Sequence, residues 1–101
     1  MIYNKLVRDK IPEIIKQDGK ICVTEVLSDE EYLRMVDEKL DEELEEYHKV
    51  QNVEELADLI EVIYAAAVAR GYSVEELEKV RQVKVEKRGA FNNRILLKEV
   101  K

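Results

Sequence analysis

Apolar residues recur at helical spacing through the middle of the chain. Ser28 and Glu31 form a capping box, which predicts that a long helix begins here and continues to about Tyr47. Its apolar positions are three or four residues apart, which places them on one helix face. They are Leu33, Val36, Leu40, Leu44 and Tyr47.

A second long helix is predicted over residues 53–70, with Asn52 as its N-cap and Gly71 after its last turn. From Leu56 to Ala69 this helix is apolar on nearly every side. A helix of that kind must be buried all round. Because a small chain can hardly cover it alone, we expect a homodimer or a higher homo-oligomer.

Two shorter helices flank this pair. Pro12 suits the first turn of a helix that continues to about Lys16. Ser73 and Glu76 form another capping box, which predicts a helix to about Lys87. The long helices are joined by about five residues, so they should run antiparallel as a hairpin.

Residues 21–27 and 94–100 are rich in β-branched and other apolar types, and both predict short strands. We expect them to pair with each other and pack on the helices. The predicted fold class is therefore mainly α, an antiparallel helical bundle with a small two-stranded β element. Residues 1–101 are too few for two domains, so a single domain is expected.

Composition narrows the possible classes of protein. The chain is 46% apolar and 40% charged, which argues against disorder. Its lone cysteine, Cys22, excludes a disulfide scaffold. There is no apolar run of about 18 residues and no basic-then-apolar leader, so we expect no membrane partner and a cytoplasmic location.

Charge is strongly segregated along the sequence. Residues 25–61 hold 15 of the 23 acidic residues and only three basic ones. This pattern indicates a carboxylate-rich centre able to hold cations, between basic ends able to hold anions. The alternative is a solubilising acidic helix face. Acidic helices would repel nucleic acid, so no nucleic-acid partner is expected.

Four acidic residues, called here the four acids, can meet across the hairpin. Glu43 and Glu46 are three residues apart on the first helix, and Glu55 and Asp58 repeat that spacing on the second. In an antiparallel hairpin Glu43 should therefore face Asp58, and Glu46 should face Glu55. Oxygen ligands without His or Cys favour magnesium, manganese or calcium. In the alternative interpretation, Glu55 is only the capping-box glutamate of its helix, and Glu43 and Glu46 belong to a solvated Glu-rich face.

The four acids resemble the paired ExxE and ExxD motif of the MazG-like, all-α nucleoside triphosphate pyrophosphohydrolases. Residues 3–13 (YNKLVRDKIPE) and 84–91 (KxxKRGxF) are similar to a small subgroup of house-cleaning, phosphoribosyl-ATP pyrophosphohydrolase-like members. The resemblance covers nearly the whole chain. The eight residues between Glu46 and Glu55 make a shorter spacer than most members of the family have.

The resemblance implies a dimeric or tetrameric helical enzyme that cleaves a nucleoside triphosphate between its α and β phosphates, with Mg²⁺ as cofactor and Mn²⁺ as a possible substitute. It places the metal ligands on Glu43, Glu46, Glu55 and Asp58. A metal-bound water would attack the α phosphorus, and Glu43 or Glu46 would take its proton. The sequence leaves open which of the two does so.

The distal phosphates of such a substrate need cations. The candidates are Arg8, Lys84, Lys87 and Arg88, and Phe91 is a candidate for stacking on a base. The alternatives are a solvated surface for the lysines, an ion pair with Asp9 for Arg8, and a hydrophobic plug for Phe91.

Two other functions remain open. One is a non-catalytic, dimeric helical module that binds or regulates a protein partner, with the acids as a relic or a calcium site. The other is hydrolysis of a phosphoribosyl-nucleotide within the same fold.

Overall fold

The structure is a computed structural model that describes residues 3–101 and forms four α-helices within them. Helix α1 spans Ile11–Gln17, α2 Asp29–Val50, α3 Val53–Ala69 and α4 Val74–Arg88. The predicted mainly helical class is confirmed. Residues 1 and 2 of the predicted domain lie outside the described residues.

The helices begin where polar caps satisfy their first amides. The Ser28 hydroxyl accepts a hydrogen bond from the Glu31 amide at 3.3 Å, at the start of α2. Ser73 and Glu76 form a reciprocal capping box at the start of α4. Because these bonds are local, the sequence was sufficient to predict where α2 and α4 begin.

Helices α2 and α3 form an antiparallel hairpin. Their connection is only Gln51 and Asn52, and Gln51 adopts a left-handed conformation (φ 57°). At the far end, Arg70 donates to the Asp37 carboxylate at 3.0 Å, which ties the end of α3 to the first half of α2. Helix α2 continues three residues beyond the predicted Tyr47, because His48 and Lys49 are favourable in a last turn.

The packed interior is small. Val36 of α2 is 1% exposed and is the only buried apolar side chain among residues 3–101. Helix α4 packs less extensively on α3 than α2 does. One polar contact between α3 and α4 is a hydrogen bond of 2.9 Å from the Tyr64 hydroxyl to Glu78.

The predicted two-stranded β element is wrong for the described residues. Neither residues 21–27 nor residues 94–100 form a strand. Val26 is fully exposed and Ile95 is 83% exposed, so these segments gain no packing from each other. Strand preference depends on a paired, half-buried surface, and an isolated pair of strands is marginal.

The single chain leaves much apolar surface uncovered. Its radius of gyration is 17.7 Å, whereas a compact domain of this length has about 13 Å. Leu56, Ile60 and Ile63 lie on one stripe of α3 and are 41%, 49% and 39% exposed. Helix α3 is therefore not buried all round by its own chain.

Helices long and apolar enough to cross a bilayer are not found in the described part of the chain.

Candidate metal centre

The α2–α3 hairpin brings three of the four acids together. One carboxylate oxygen each from Glu43, Glu55 and Asp58 lies within 4.8 Å of the other two. We call these three residues the acidic cluster. All three are half-buried, and they come from two helices. The sequence predicted Glu43 opposite Asp58, and these carboxylates do lie close together, whereas Glu46, the predicted partner of Glu55, is not in this group of close oxygens.

The start of α3 leaves the Glu55 side chain available to the cluster. Asn52 accepts a hydrogen bond of 2.9 Å from the Glu55 amide and so caps the helix through its own side chain. In α4 the Glu76 carboxylate accepts a hydrogen bond from the Ser73 amide, which completes the capping box. In α3 the equivalent Glu55 carboxylate lies beside Glu43 and Asp58 instead. Capping alone therefore does not account for Glu55.

Glu46 lies near the cluster but outside its set of three close oxygens. Desolvation raises the pKa of Glu55, and repulsion from Asp58, Glu43 and Glu46 raises it further. Negative charge is therefore crowded at this end of the hairpin. A bound cation would relieve that repulsion.

Two basic side chains partly neutralise the cluster. Arg8 Nη2 lies 2.6 Å from Asp58 Oδ1, and Lys39 Nζ lies 3.5 Å from Glu43 Oε1. The interpretation of Arg8 as a partner of Asp9 is not the geometry observed. Instead, Arg8 reaches an acid 50 residues away on α3.

A second contact holds residues 3–10, called here the N-terminal segment, against α2. Lys5 Nζ donates to Glu42 Oε1 at 3.0 Å. This hydrogen bond raises the pKa of Lys5, as does the charge of Glu42. Burial alone would raise the pKa of Glu42, but bonds from Lys5 and Lys39 lower it overall. The basic N-terminus thus lies on the acidic hairpin.

A cavity of about 870 Å³ adjoins the acidic cluster. Glu43 and Asp58 form part of its wall, so a molecule in the cavity would lie against the cluster. The N-terminal segment forms another part of the wall. The remaining lining includes apolar side chains such as Leu27, Tyr32 and Val36. The volume is within the range of small-molecule sites, and the wall contains about as many charged as apolar side chains.

The donor set fits a hard divalent cation. It consists only of carboxylate oxygens, which magnesium, manganese and calcium prefer. Oxygens around Mg²⁺ lie about 2.1 Å from the ion, and so about 3–4 Å from each other. The three oxygens lie within 4.8 Å of one another, which is close enough for them to approach a single ion.

The structure does not bring the C-terminal candidates to this cavity. Lys84, Lys87 and Arg88 are exposed in the second half of α4, and Phe91 is 97% exposed beyond it. Among the described residues none of these four lines the cavity. Phe91 is not the buried plug that was considered. Their predicted contacts with substrate stay predictions.

Two charged residues of the site were not singled out from the sequence. Lys39 contacts Glu43, and Glu61 lines the cavity together with Asp58. Both carried a usable signal, because Lys39 lies four residues before Glu43 and Glu61 lies three after Asp58. Helical spacing therefore extends the acidic face of α3 by one further position.

Comparison with known proteins gives one partial match. An uncharacterized protein of Mycolicibacterium smegmatis is 52% identical over 42 residues, which are 42% of this chain and 43% of that protein. The match thus spans less than half of the relative. No family model matches the chain, and no solved structure matches it. The functional proposal therefore depends on the geometry of the site.

Proposed function

We propose that this protein is a MazG-like nucleoside triphosphate pyrophosphohydrolase. The reaction would be magnesium-dependent hydrolysis between the α and β phosphates of a non-standard or surplus nucleotide, giving a nucleoside monophosphate and pyrophosphate. The observation that carries the proposal is the acidic cluster at the wall of the cavity of about 870 Å³. Carboxylates from two helices converge where a bound small molecule would meet them.

In this proposal Glu43, Glu55 and Asp58 hold the metal ion, with Glu46 beside them. A bound Mg²⁺ would neutralise phosphate charge and lower the pKa of a coordinated water. Tyr32 and the apolar part of the cavity wall would receive the nucleoside, because its ring system packs on apolar and aromatic side chains.

Glu46 is the better candidate for the base that accepts the proton of the attacking water. It lies close enough to raise the pKa of Glu55, yet it is outside the set of three close oxygens. A carboxylate that is not fully used by a metal keeps lone pairs to accept a proton. Glu43, at the centre of the cluster, would serve as a ligand.

We also propose a homodimer. The exposed stripe of Leu56, Ile60 and Ile63 on α3 is apolar surface that a second copy would cover. A second copy is also the route by which Lys84, Lys87 and Arg88 would reach phosphates, since they do not reach the cavity of their own chain. Sedimentation should give twice the chain mass for the wild type. Ile60→Glu should give a monomer, and Lys49→Glu, an exposed change on α2, should not.

The test of the enzymatic proposal is release of pyrophosphate from a panel of standard and modified nucleoside triphosphates. We expect activity with Mg²⁺, activity with Mn²⁺ and none after chelation. Asp58→Asn should remove the activity while the helical content measured by circular dichroism stays the same. Adding a phosphoribosyl-nucleotide to the panel separates the second possible substrate. Activity that survives both chelation and Asp58→Asn would defeat the proposal.

The exposed apolar stripe of α3 also favours a second candidate, a non-catalytic helical module that binds a protein partner. The two candidates differ in their response to metal. Ions that bind the folded state raise the melting temperature, so the enzyme should be stabilised by Mg²⁺ or Mn²⁺. A melting temperature that does not change with either ion would favour the binding module.

A further inference from the structure

We propose that Arg8 is an intramolecular counter-ion of the acidic cluster, and that a divalent metal ion displaces it on binding. This inference rests on the proposed metal site and adds a residue that weakens metal binding there. The guanidinium lies 2.6 Å from Asp58, although the two residues are 50 positions apart in the chain. One of the predicted metal ligands thus has a positive partner within the chain itself.

The contact belongs to a segment that has few other anchors. Residues 3–10 form neither helix nor strand, and most of their side chains are exposed. Two ion pairs tie this segment to the hairpin, Arg8 to Asp58 on α3 and Lys5 to Glu42 on α2. Leu6, Val7 and Arg8 also form part of the cavity wall. Loss of the Arg8 contact would therefore loosen one wall of the cavity.

A guanidinium and a divalent ion compete for the same carboxylate. Both would lie within a few ångströms of Asp58 and would repel each other. The Arg8 and Asp58 side chains are 59% and 43% exposed, so their pair is of the weak, solvent-screened kind. The Lys39–Glu43 pair is less exposed, at 21% and 14%. Arg8 is thus the partner that a metal ion displaces first.

Once displaced from Asp58, Arg8 becomes available to bind substrate. A released guanidinium beside a metal-loaded cluster is suited to bind phosphate oxygens in a bidentate manner. Binding linkage is reciprocal, so a metal ion that weakens the Arg8 contact must itself bind more tightly when Arg8 is absent. Loss of Arg8 should therefore strengthen metal binding, which is the reverse of what loss of a ligand would do.

The experiment is calorimetric titration of Mn²⁺ into the 101-residue wild-type chain and three variants at fixed pH and ionic strength. Arg8→Gln should bind Mn²⁺ roughly three- to tenfold more tightly, the range that an exposed ion pair and its repulsion can supply. Arg8→Lys keeps the charge and should bind within about twofold of the wild type. Lys10→Gln, which removes a charge from the same segment but not from the cavity wall, should also stay within about twofold.

Limited trypsin digestion gives a second readout on the wild type. Cleavage after Arg8 should become faster when Mn²⁺ is present, because the side chain is released from Asp58. Cleavage after Arg94, in the exposed C-terminal part of the chain, is the internal control and should not change.

The outcomes separate this inference from the proposed function. Equal or weaker Mn²⁺ binding by Arg8→Gln overturns the role of Arg8 and leaves the metal site intact. Faster cleavage after Arg8 without tighter binding by the variant also overturns it. Absence of Mn²⁺ binding by the wild type and every variant overturns the metal site itself, and the displacement with it.

Discussion

The α2–α3 hairpin and the C-terminal residues 79–101 use similar residue types in different ways. In the hairpin, acidic and basic side chains meet across helices, as Arg70 does with Asp37. Residues 79–101 are all exposed, and none of their apolar side chains is buried. The same kinds of residue form a site only where two helices hold them in a fixed register.

The two regions also contain different candidate functional groups. The hairpin and the N-terminal segment contain the acidic cluster, its basic partners and the cavity. Helix α4 and the residues after it contribute exposed cations and exposed apolar side chains. The first region also carries the exposed apolar stripe of α3, whereas the cations of the second region lie away from the cavity.

The largest expected effect is on activity, and it should be confined to the hairpin. Glu43→Gln should lower pyrophosphate release about 100-fold or more, because a lost ligand weakens charge stabilisation by several kcal/mol. Glu45→Gln, an exposed neighbour on the same helix, should change the rate less than about twofold. Equal losses in both variants would show that overall charge matters, and not the acidic cluster.

The next largest effect is on stability, and the same Val→Ala substitution is compared in α2 and in α4. Val36→Ala should lower the free energy of unfolding by about 2 kcal/mol, because Val36 is 1% exposed. Val80→Ala on α4, at a position 55% exposed, should lower it by no more than about 0.5 kcal/mol. Denaturant unfolding measures both. An equal loss at Val80 would show that α4 is covered by another chain in solution.

A smaller effect tests the attachment of α4. Tyr64→Phe removes the hydrogen bond to Glu78 and should cost about 1 kcal/mol or less, since the bond is only partly buried. Tyr72→Phe is the matched control, because Tyr72 is 58% exposed. Thermal unfolding of both variants gives the comparison. If the Tyr64 variant matches the control, the bond does not hold α4 in place.

The smallest effect is a pH dependence within the acidic cluster. Desolvation and like charges raise the pKa of Glu55 above its ordinary 4.5, so the folded protein binds this proton more tightly than the unfolded chain does. Its contribution to stability is full below pH 4.5 and is lost as the pH rises through the raised pKa.

Glu55→Gln should therefore melt at a higher temperature than the wild type at pH 7 and at nearly the same temperature at pH 4. Added Mg²⁺ should reverse the order at pH 7, because the wild type gains more from the ion. A wild type that is more stable than the variant at pH 7 without metal would contradict the proposed repulsion.

Much of the local structure was predictable from the sequence. The starts of α2, α3 and α4 follow from Ser28, Asn52 and Ser73, because each cap bonds an amide three residues away. The position of Glu43 opposite Asp58 follows from a short connection between two helices. Both inferences depend on interactions that are close in sequence or fixed by helical geometry.

Contacts between distant segments were not predictable in the same way. Nothing near Arg8 in the sequence indicates that it pairs with Asp58 rather than with Asp9 beside it. The two predicted strands show the same limit, because β-branched residues favour a strand only when a partner is present. In each case the outcome depends on which distant group competes best.

The sequence alone accounts for the helices, the polar caps of α2, α3 and α4, and the grouping of acidic residues near the α2–α3 connection. Only folding of the chain places Arg8 and Lys39 beside those acids, forms a cavity next to them and leaves the C-terminal cations away from it. The reason is physical: hydrogen bonds and helical periodicity act over a few residues, whereas charge pairing and cavity formation act between segments that only folding brings together.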